Sequence, residues 1–307
     1  MRQITIGKEQ AGQRFDKFLG KYLSLAPKSF IYKMLRKKNI VLNGKKADGS
    51  EKIQTGDEVK FFLSEATIEK FQEIDKGKPI KADRALAEAL SVLYEDEHIL
   101  VINKPAEMLS QKAQREDVSL VEYLHAYLAA DRMSDDINRQ GFKPGICNRL
   151  DRNTSGIIVA GKTMAGLQTM NQLFKERMLK KYYLCIVKGN ISEKQDIEGY
   201  LTKDEKRNIV HISKKREKGS SYIQTGYEPL ATGEKDGTAY TLLKVHLITG
   251  KSHQIRAHLQ SMGHPIVGDM KYGEKEVWNY FQKKYQLKHQ LLHSWRLELP
   301  VIEGTLS

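Results

Sequence analysis

Apolar positions near the start of the chain recur first with a helical period and then with that of strands. Phe15, Phe18, Leu19, Tyr22 and Leu23 fall on one face at i, i+3, i+4, i+7 and i+8. Pro27 interrupts this pattern. Ile31, Met34 and Leu35 restore it for a second helix, with Lys28, Lys33, Arg36, Lys37 and Lys38 on its outer side. Ile40-Val41-Leu42, Asn43-Gly44 and Lys45-Lys46-Ala47 predict a tight hairpin, because Asn-Gly suits the positive φ angles of a two-residue turn. Gly56-Asp57 turn the chain again before a strand over 59–63.

Residues 65–91 show weaker periodicity and mix Glu65, Glu69, Lys70, Glu73, Asp75, Lys76 and Lys78 with Gly77 and Pro79. They predict a connection with some structure, helical over 82–90. Beyond it, 98–102 reads as a strand stopped by Asn103-Lys104-Pro105, and Ser119 with Glu122 as a capping box opening a helix through Leu120, Val121, Leu124 and Leu128. Ile157-Ile158-Val159-Ala160, bounded by Gly156 and Gly161, reads as a buried strand. A helix follows from Thr163 with Leu167, Met170 and Phe174 inside; strands follow at 180–189 and 241–248. Ser252 is the expected cap of a helix with Ile255, Leu259 and Met262 on its apolar side and His253, Arg256 and Gln260 on a separate polar stripe. Gly263 and Pro265 stop that helix, and a last strand lies at 291–297. No βαβ rhythm and no internal repeat is visible. The fold class is therefore α+β: a small N-terminal helix–hairpin domain over 1–64, a linker over 65–91, and a larger domain over 92–307 with a mixed, mainly antiparallel sheet and flanking helices.

Charge adds a partner to this picture. Among 307 residues, 51 Lys and Arg face 38 Asp and Glu, a net charge of +13. Residues 1–63 alone hold 14 basic and 6 acidic side chains. Such an excess attracts polyanions, nucleic acid first and anionic membrane second. No run of eighteen apolar residues and no apolar signal core is present, so no membrane association is expected. Cys147 and Cys185 cannot build a disulfide framework, and without a CxxC pair they predict a reduced, cytoplasmic protein. Neither GxxxxGK[ST] nor GxGxxG occurs, so no nucleotide cofactor is expected. His253, His258 and His264 are spaced by five and six, which does not place them on one helical face, and Arg256 among them would repel a cation; no metal is expected.

The candidate chemistry lies in Cys147-Asn148-Arg149-Leu150-Asp151-Arg152-Asn153-Thr154-Ser155-Gly156. Asp151 stands between two arginines, ahead of a turn that leads into a core strand, and so on a rigid platform. A nearby guanidinium favours its ionised form, which can serve as nucleophile or base but not as proton donor. Taken alone, an Asp that caps a turn and pairs with Arg as structure is the favoured reading.

Longer matches change those odds. Arg14-Phe15-Asp16-Lys17-Phe18-Leu19, Val41-Leu42-Asn43-Gly44-Lys45 and Gly56-Asp57-Glu58-Val59 resemble the S-four-type RNA-binding domain. Four later stretches resemble the RluA-type family of RNA pseudouridine synthases. These are Ile99-Leu100-Val101-Ile102-Asn103-Lys104-Pro105; Arg149-Leu150-Asp151 with Thr154-Ser155-Gly156; Lys181 with Tyr183-Leu184; and Thr249-Gly250 with His253-Gln254-Ile255-Arg256, His258-Leu259, Gly263-His264-Pro265-Ile266 and Gly268-Asp269. The resemblance implies an enzyme that detaches uracil from ribose, turns it and rejoins it through carbon 5, without a cofactor. It makes Asp151 the catalytic carboxylate, Tyr183 the residue that stacks on the base and assists loss of the carbon-5 proton, and Arg256 the partner of Asp151. Arg149 is the candidate to fill the space left by a flipped uridine, with Arg152, Thr154, His253 and Gln254 also placed at the substrate. Lys28, Lys33, Arg36, Lys37, Lys38 and Lys45 are the expected RNA contacts. Three departures from the family pattern stand out: Asn148 where His is usual, Lys251 where Arg is usual, and Ala106-Glu107-Met108-Leu109-Ser110-Gln111 without the usual Gly and His.

The expectation is a cytoplasmic, monomeric isomerase acting on structured RNA, with large-subunit ribosomal RNA favoured over tRNA. Two rivals remain at this stage. One is a non-catalytic RNA-binding or ribosome-assembly protein that retains the fold. The other is a nucleic-acid glycosidase, which usually needs a second carboxylate as acid.

Overall fold

A computed structural model describes residues 1–7, 10–71, 84–114, 116–130 and 143–300. The N-terminal part runs β1 (Arg2–Thr5), α1 (Phe15–Tyr22), α2 (Lys28–Arg36), β2 (Ile40–Leu42), β3 (Lys45–Lys46), β4 (Glu58–Phe61) and α3 (Glu65–Phe71). Its sheet has the order β1-β4-β2-β3. Both predicted helices form, with Pro27 at the N-cap of α2. Phe15, Phe18 and Leu19 of α1 and Ile31, Met34 and Leu35 of α2 are buried, each contributing roughly 1.5–3 kcal/mol by leaving water. Asn43 (φ 51) and Gly44 (φ 71) turn the β2–β3 hairpin as expected. The period-based search did not find β1, which completes the sheet by pairing with β4.

The predicted linker is partly built. Helix α3 buries Ile68 in the first core, with Phe71 packed against it, so that core reaches past residue 64. Helix α4 (Arg84–Glu88) falls inside the predicted 82–90 segment. Residues 72–83, with Glu73, Asp75, Lys76, Gly77, Lys78 and Pro79, lie outside the described residues.

The larger part continues with β5 (Val92–Glu95), β6 (Ile99–Lys104), α5 (Leu120–Ala130), β7 (Gly145–Ile146), β8 (Ser155–Gly161), α6 (Met164–Lys175), β9 (Lys180–Lys188), β10 (Gln195–Asp204), β11 (Ile209–Ser213), β12 (Ser221–Lys235), β13 (Thr238–Leu247), α7 (Gln254–Ser261), α8 (Lys275–Tyr285) and β14 (Leu292–Glu298). Ten strands form one sheet in the order β11-β10-β12-β13-β9-β14-β8-β6-β5, with β7 beside β8. The β14–β8 pairing is parallel, while the other strand ladders of the described residues are antiparallel. The architecture is thus the expected α+β, with five strands (β5, β7, β10, β11 and β12) that the apolar pattern did not reveal.

Alternation along the central strands decides which helix covers which face. Leu100 and Ile102 of β6 share a core with Tyr183, Cys185 and Val187 of β9, Leu120, Leu124 and Leu128 of α5, and Ile255 and Leu259 of α7. Ile99 and Val101 point the other way, onto Val159 of β8 and Met170 of α6. At the start of α5, Glu122 accepts from both the backbone N–H and the hydroxyl of Ser119 at 2.8 Å, which is one arm of the predicted capping box. Thr163 caps α6 by accepting from the N–H of Gly166 at 3.1 Å.

Candidate active site

Three elements converge on Asp151. The loop 147–154 precedes β8, and it is anchored from below. Ser110 donates to the carbonyl of Leu150 at 2.8 Å and accepts the Leu150 N–H at 3.1 Å. The Nζ of Lys104, a fully buried lysine, donates to the carbonyls of Pro105, Met108 and Arg152 at 2.8, 2.9 and 3.0 Å. Burial lowers the Lys104 pKa to about 8, with the charge of Asp151 acting in the opposite sense. The loop ends at Gly156 (φ 110), where an added Cβ would lie 2.1 Å from the carbonyl oxygen of Ser294; only glycine lets β8 run this close to β14.

The partner of Asp151 comes from far along the chain. Nη1 of Arg256 donates to Oδ2 of Asp151 at 2.8 Å. Nε and Nη2 of Arg256 grip both oxygens of Asp269 at 2.6 and 2.9 Å. Asp269 also accepts the N–H groups of Lys271 and Tyr272 at 2.9 and 3.1 Å. Burial opposes ionisation of Asp269, but Arg256 and these backbone donors outweigh it and hold its pKa below the ordinary value. Burial likewise works against the Arg256 charge, and its two carboxylates more than compensate, raising its pKa. The guanidinium sits 5.1 Å from the ring centroid of Tyr272, a cation–π contact. Side-chain exposure falls along this chain from 26% at Asp151 to 7% at Arg256 and 0% at Asp269. One carboxylate is therefore partly exposed, and its cation is locked in place from behind.

Tyr183 projects from β9 into the same core and is 6% exposed. Its hydroxyl bonds to the Ser294 side chain, and burial, reinforced by the charge of Asp151, pushes its pKa up to about 12. Asp151, the guanidinium that holds it and the Tyr183 phenol thus lie within electrostatic reach of one another.

Comparisons with known proteins give the family. The sequence profile described as RNA pseudouridylate synthase matches residues 98–261, and that of the S4 domain matches residues 13–59. An uncharacterised RNA pseudouridine synthase of Mycoplasma genitalium is 30% identical over 302 residues, covering 98% of this chain and 90% of its own. The chain belongs to the RNA pseudouridine synthase family. Ribosomal large subunit pseudouridine synthase C of Escherichia coli is 31% identical over 279 residues, 89% of this chain and 80% of its own. Among solved structures, human RNA pseudouridylate synthase domain containing 1 aligns with a TM-score of 0.54 and 26% identity, over 70% of this chain and 80% of its own.

Within this synthase the predicted site residues separate into groups. Asp151, Tyr183 and Arg256 come together, but Arg149 and Arg152 do not pair with Asp151 as their neighbouring positions suggested. Arg149 is exposed, and Nε of Arg152 donates to the Glu107 carbonyl at 3.3 Å. Thr154 and Gln254, predicted at the substrate, are 2% exposed and bonded internally. Thr154 accepts from Gln290 at 3.2 Å. Gln254 donates to Gln224 and Thr225 at 3.0 Å and accepts from Thr249 at 2.9 Å and Lys251 at 3.1 Å, which uses its full amide capacity. Both hold the site's framework instead of facing a ligand.

The predicted α7 stripe also needs correction. His253, not Ser252, is the N-cap of α7, in a left-handed conformation without a side-chain cap bond. Of the predicted polar stripe Gln260 is exposed, but His253 is half-buried and Arg256, like Gln254 and His258, is buried beside Ile255 and Leu259, while Met262 of the predicted apolar side is 42% exposed. Asp269 stood in the quoted motif without a role, and its signal was an acidic residue placed after a Gly turn. Asn148, at a departure from the family pattern, donates to the Ile157 carbonyl at 3.2 Å and accepts the Val159 N–H at 2.8 Å, fastening the loop to β8. In the N-terminal part, Lys28, Lys33, Arg36, Lys37, Lys38 and Lys45 are all exposed, and none has an ion-pair partner among the described residues. No helix of the described residues is long and apolar enough to cross a membrane.

Proposed function

We propose that this synthase converts specific uridines of structured RNA to pseudouridine by base flipping, with large-subunit ribosomal RNA favoured over tRNA as the substrate. The observation that carries the mechanism is the Asp269–Arg256–Asp151 chain, which leaves Asp151 as its partly exposed carboxylate with the cation fixed behind it. A carboxylate so held is an acceptor and a nucleophile. In this reading Asp151 attacks the ribose anomeric carbon or the uracil ring. The glycosidic bond to ring nitrogen 1 breaks, a bond to carbon 5 forms, the carbon-5 proton is lost and nitrogen 1 gains one. Atoms and electrons balance without a cofactor. Tyr183, kept as a neutral phenol by burial, is the stacking surface for the detached ring and stands close to the carbon that must lose its proton.

Extruding a base from a stack costs a few kcal/mol. Arg149, exposed on the loop beside Asp151, is placed in this reading to enter the vacated space, with Arg152 near the backbone. The N-terminal basic residues offset the cost through counterion release at RNA phosphates. The ribosomal target rests on likeness to relatives such as ribosomal large subunit pseudouridine synthase C of Escherichia coli, and with it goes a cytoplasmic location. The two-domain division, with 1–64 as the RNA-binding domain and 92–307 as the catalytic one, and action as a monomer belong to the same proposal.

The test is tritium release from RNA labelled at uridine carbon 5, comparing native protein with Asp151→Ala. Release only from the native protein supports the assignment. Release that persists in the variant removes Asp151 from its role, RNA binding without release favours an assembly protein, and free uracil favours a glycosidase.

A further inference from the structure

His253 occupies an unusual place. It sits at the N-cap of α7 with φ 55, a left-handed conformation that costs a non-glycine residue on the order of 1 kcal/mol and is kept where a side chain must be aimed. The cost is not offset by capping, because its side chain bonds no α7 backbone group. Nδ1 instead lies 3.0 Å from the hydroxyl of Tyr272, and the two rings meet edge to face at 5.7 Å and 73°.

The Tyr272 hydroxyl bears on which imidazole nitrogen carries the proton. It already accepts the Val210 N–H at 2.8 Å, so its own proton needs an acceptor in a site where Tyr272 is only 8% exposed. The acceptor within reach is Nδ1 of His253. A neutral imidazole that accepts at Nδ1 carries its hydrogen on Nε2. Among the described residues Nε2 has no hydrogen-bond partner, and it is not one of the buried polar atoms. Burial lowers the pKa of the ring and so favours its neutral form, with Asp151 opposing and Arg256 assisting that effect. Tyr272 is itself immobilised, with the Arg256 guanidinium over its ring and its backbone N–H on Asp269.

We propose that His253 is a substrate-contacting residue whose uncharged Nε2–H donates a hydrogen bond to the carbon-4 oxygen of the flipped uracil, and that Tyr272 is the positioning residue that sets this tautomer. The inference rests on the uridine-isomerising function above and adds a donor that tells an oxygen-bearing ring edge from an amino-bearing one. An exocyclic amino group, as on cytosine, would meet a donor with a donor, whereas the uracil oxygen accepts it. A cationic imidazole beside Asp151 would instead pair with the catalytic carboxylate, so neutrality of the ring keeps Asp151 available. Val210 lies on β11, so the same hydroxyl ties that strand to the catalytic ion pair.

Nitrogen-15 NMR of the histidine-labelled full chain reads the tautomer directly. The expected spectrum has a protonated, pyrrole-like Nε2 and a pyridine-like Nδ1 for His253, a preference lost in Tyr272→Phe. Protonation at Nδ1 in the native protein overturns the assignment. Kinetics then separate donation from packing. His253→Asn tolerates the left-handed backbone and keeps a polar group near Tyr272 but lacks the distal donor. His253→Gln places an amide N–H near the position of Nε2. His253→Asn is expected to lower the single-turnover rate by about tenfold to a hundredfold, with unchanged melting temperature, and His253→Gln to recover much of it. Equal rates for native protein and His253→Asn, or equal losses in both variants, overturn the proposal. A native protein that isomerises no uridine refutes the functional reading itself. The nitrogen shifts come from the free protein, so they still decide the tautomer, and the two failures remain distinguishable.

Discussion

The order of exposure along the Asp151–Arg256–Asp269 chain predicts that stability and activity separate at its two ends. Asp269→Ala removes a fully buried carboxylate that holds two guanidinium nitrogens and two backbone N–H groups. Arg256, 7% exposed, then keeps one partner out of two. Breaking a buried pair by deleting one member costs roughly 3–5 kcal/mol, which for a domain of this size lowers Tm by about 6–20 °C. Asp151→Ala removes a single bond to a carboxylate that is about a quarter exposed, and leaves Arg256 paired with Asp269. Discounted for solvent screening, that loss is about 1 kcal/mol, or a few degrees at most. Tritium release should nevertheless fall further in Asp151→Ala than in Asp269→Ala, since the first deletes the reacting group and the second only loosens its cation. Thermal unfolding followed by circular dichroism, beside the release assay on the same preparations, makes the comparison. Equal Tm losses for the two variants, or an Asp269→Ala protein as stable as the native one, would refute the view that Asp269 anchors the pair from inside the core.

Three further outcomes follow from other parts of the structure. Gly156→Ala, which sets a methyl against the Ser294 carbonyl at a positive φ, should fail to fold or melt well below the native protein, whereas Gly44→Ala, with open space around it, should do much less harm; similar melting curves would refute the close-packing argument. His258, buried with Nδ1 3.0 Å from the Thr225 hydroxyl, has its pKa lowered by burial to about 4, below the unfolded value of about 6.5. Its neutral form is the folded one, so its contribution is fully present above about pH 6.5 and is lost as pH falls towards 4, about 2 kcal/mol by pH 5; urea titrations at pH 7 and pH 5 that show the same difference in His258→Gln as in the native protein would disprove this. Replacing Lys33, Arg36, Lys37 and Lys38 together by Gln should weaken RNA binding and flatten its dependence on salt, by about 0.7–0.9 in the logarithmic slope for each phosphate contact removed; an unchanged slope in filter binding would move the RNA contacts elsewhere.

Much of the site was legible before any coordinates, because loop and helix motifs keep their reacting residues close in sequence to strong local signals. Asp151 stood out through its turn and the apolar run after it, and the strands carrying Lys104 and Tyr183 through β-branched and aromatic runs. The same locality misled at Arg149 and Arg152. Adjacency in sequence suggested them as partners of Asp151, yet backbone direction through the loop sends Arg152 to Glu107 and leaves Arg149 exposed. Strands β10 and β12 escaped notice because a small or polar residue interrupts their inward positions, Gly199 between Ile197 and Leu201 and Thr225 between Ile223 and Tyr227, and β11 spans only five residues.

Local order was therefore a property of the sequence alone: the helix–Pro–helix–hairpin start, its basic surface, the glycines that bound the apolar run of β8 and the stop after α7 follow from periodicity, turn chemistry and charge within a few residues. Assembly of the reactive cluster was not. Which guanidinium meets Asp151 depends on a contact across 105 residues, and which face of α7 is buried depends on the sheet it lies against. The inner role of Asp269, the saturated amide of Gln254 and the bond between His253 and Tyr272 arise the same way. Hydrogen-bond partners and burial are set by chain segments that meet only once the ten-stranded sheet has closed beneath α5 and α7. Their energies therefore appear in no local pattern of residues.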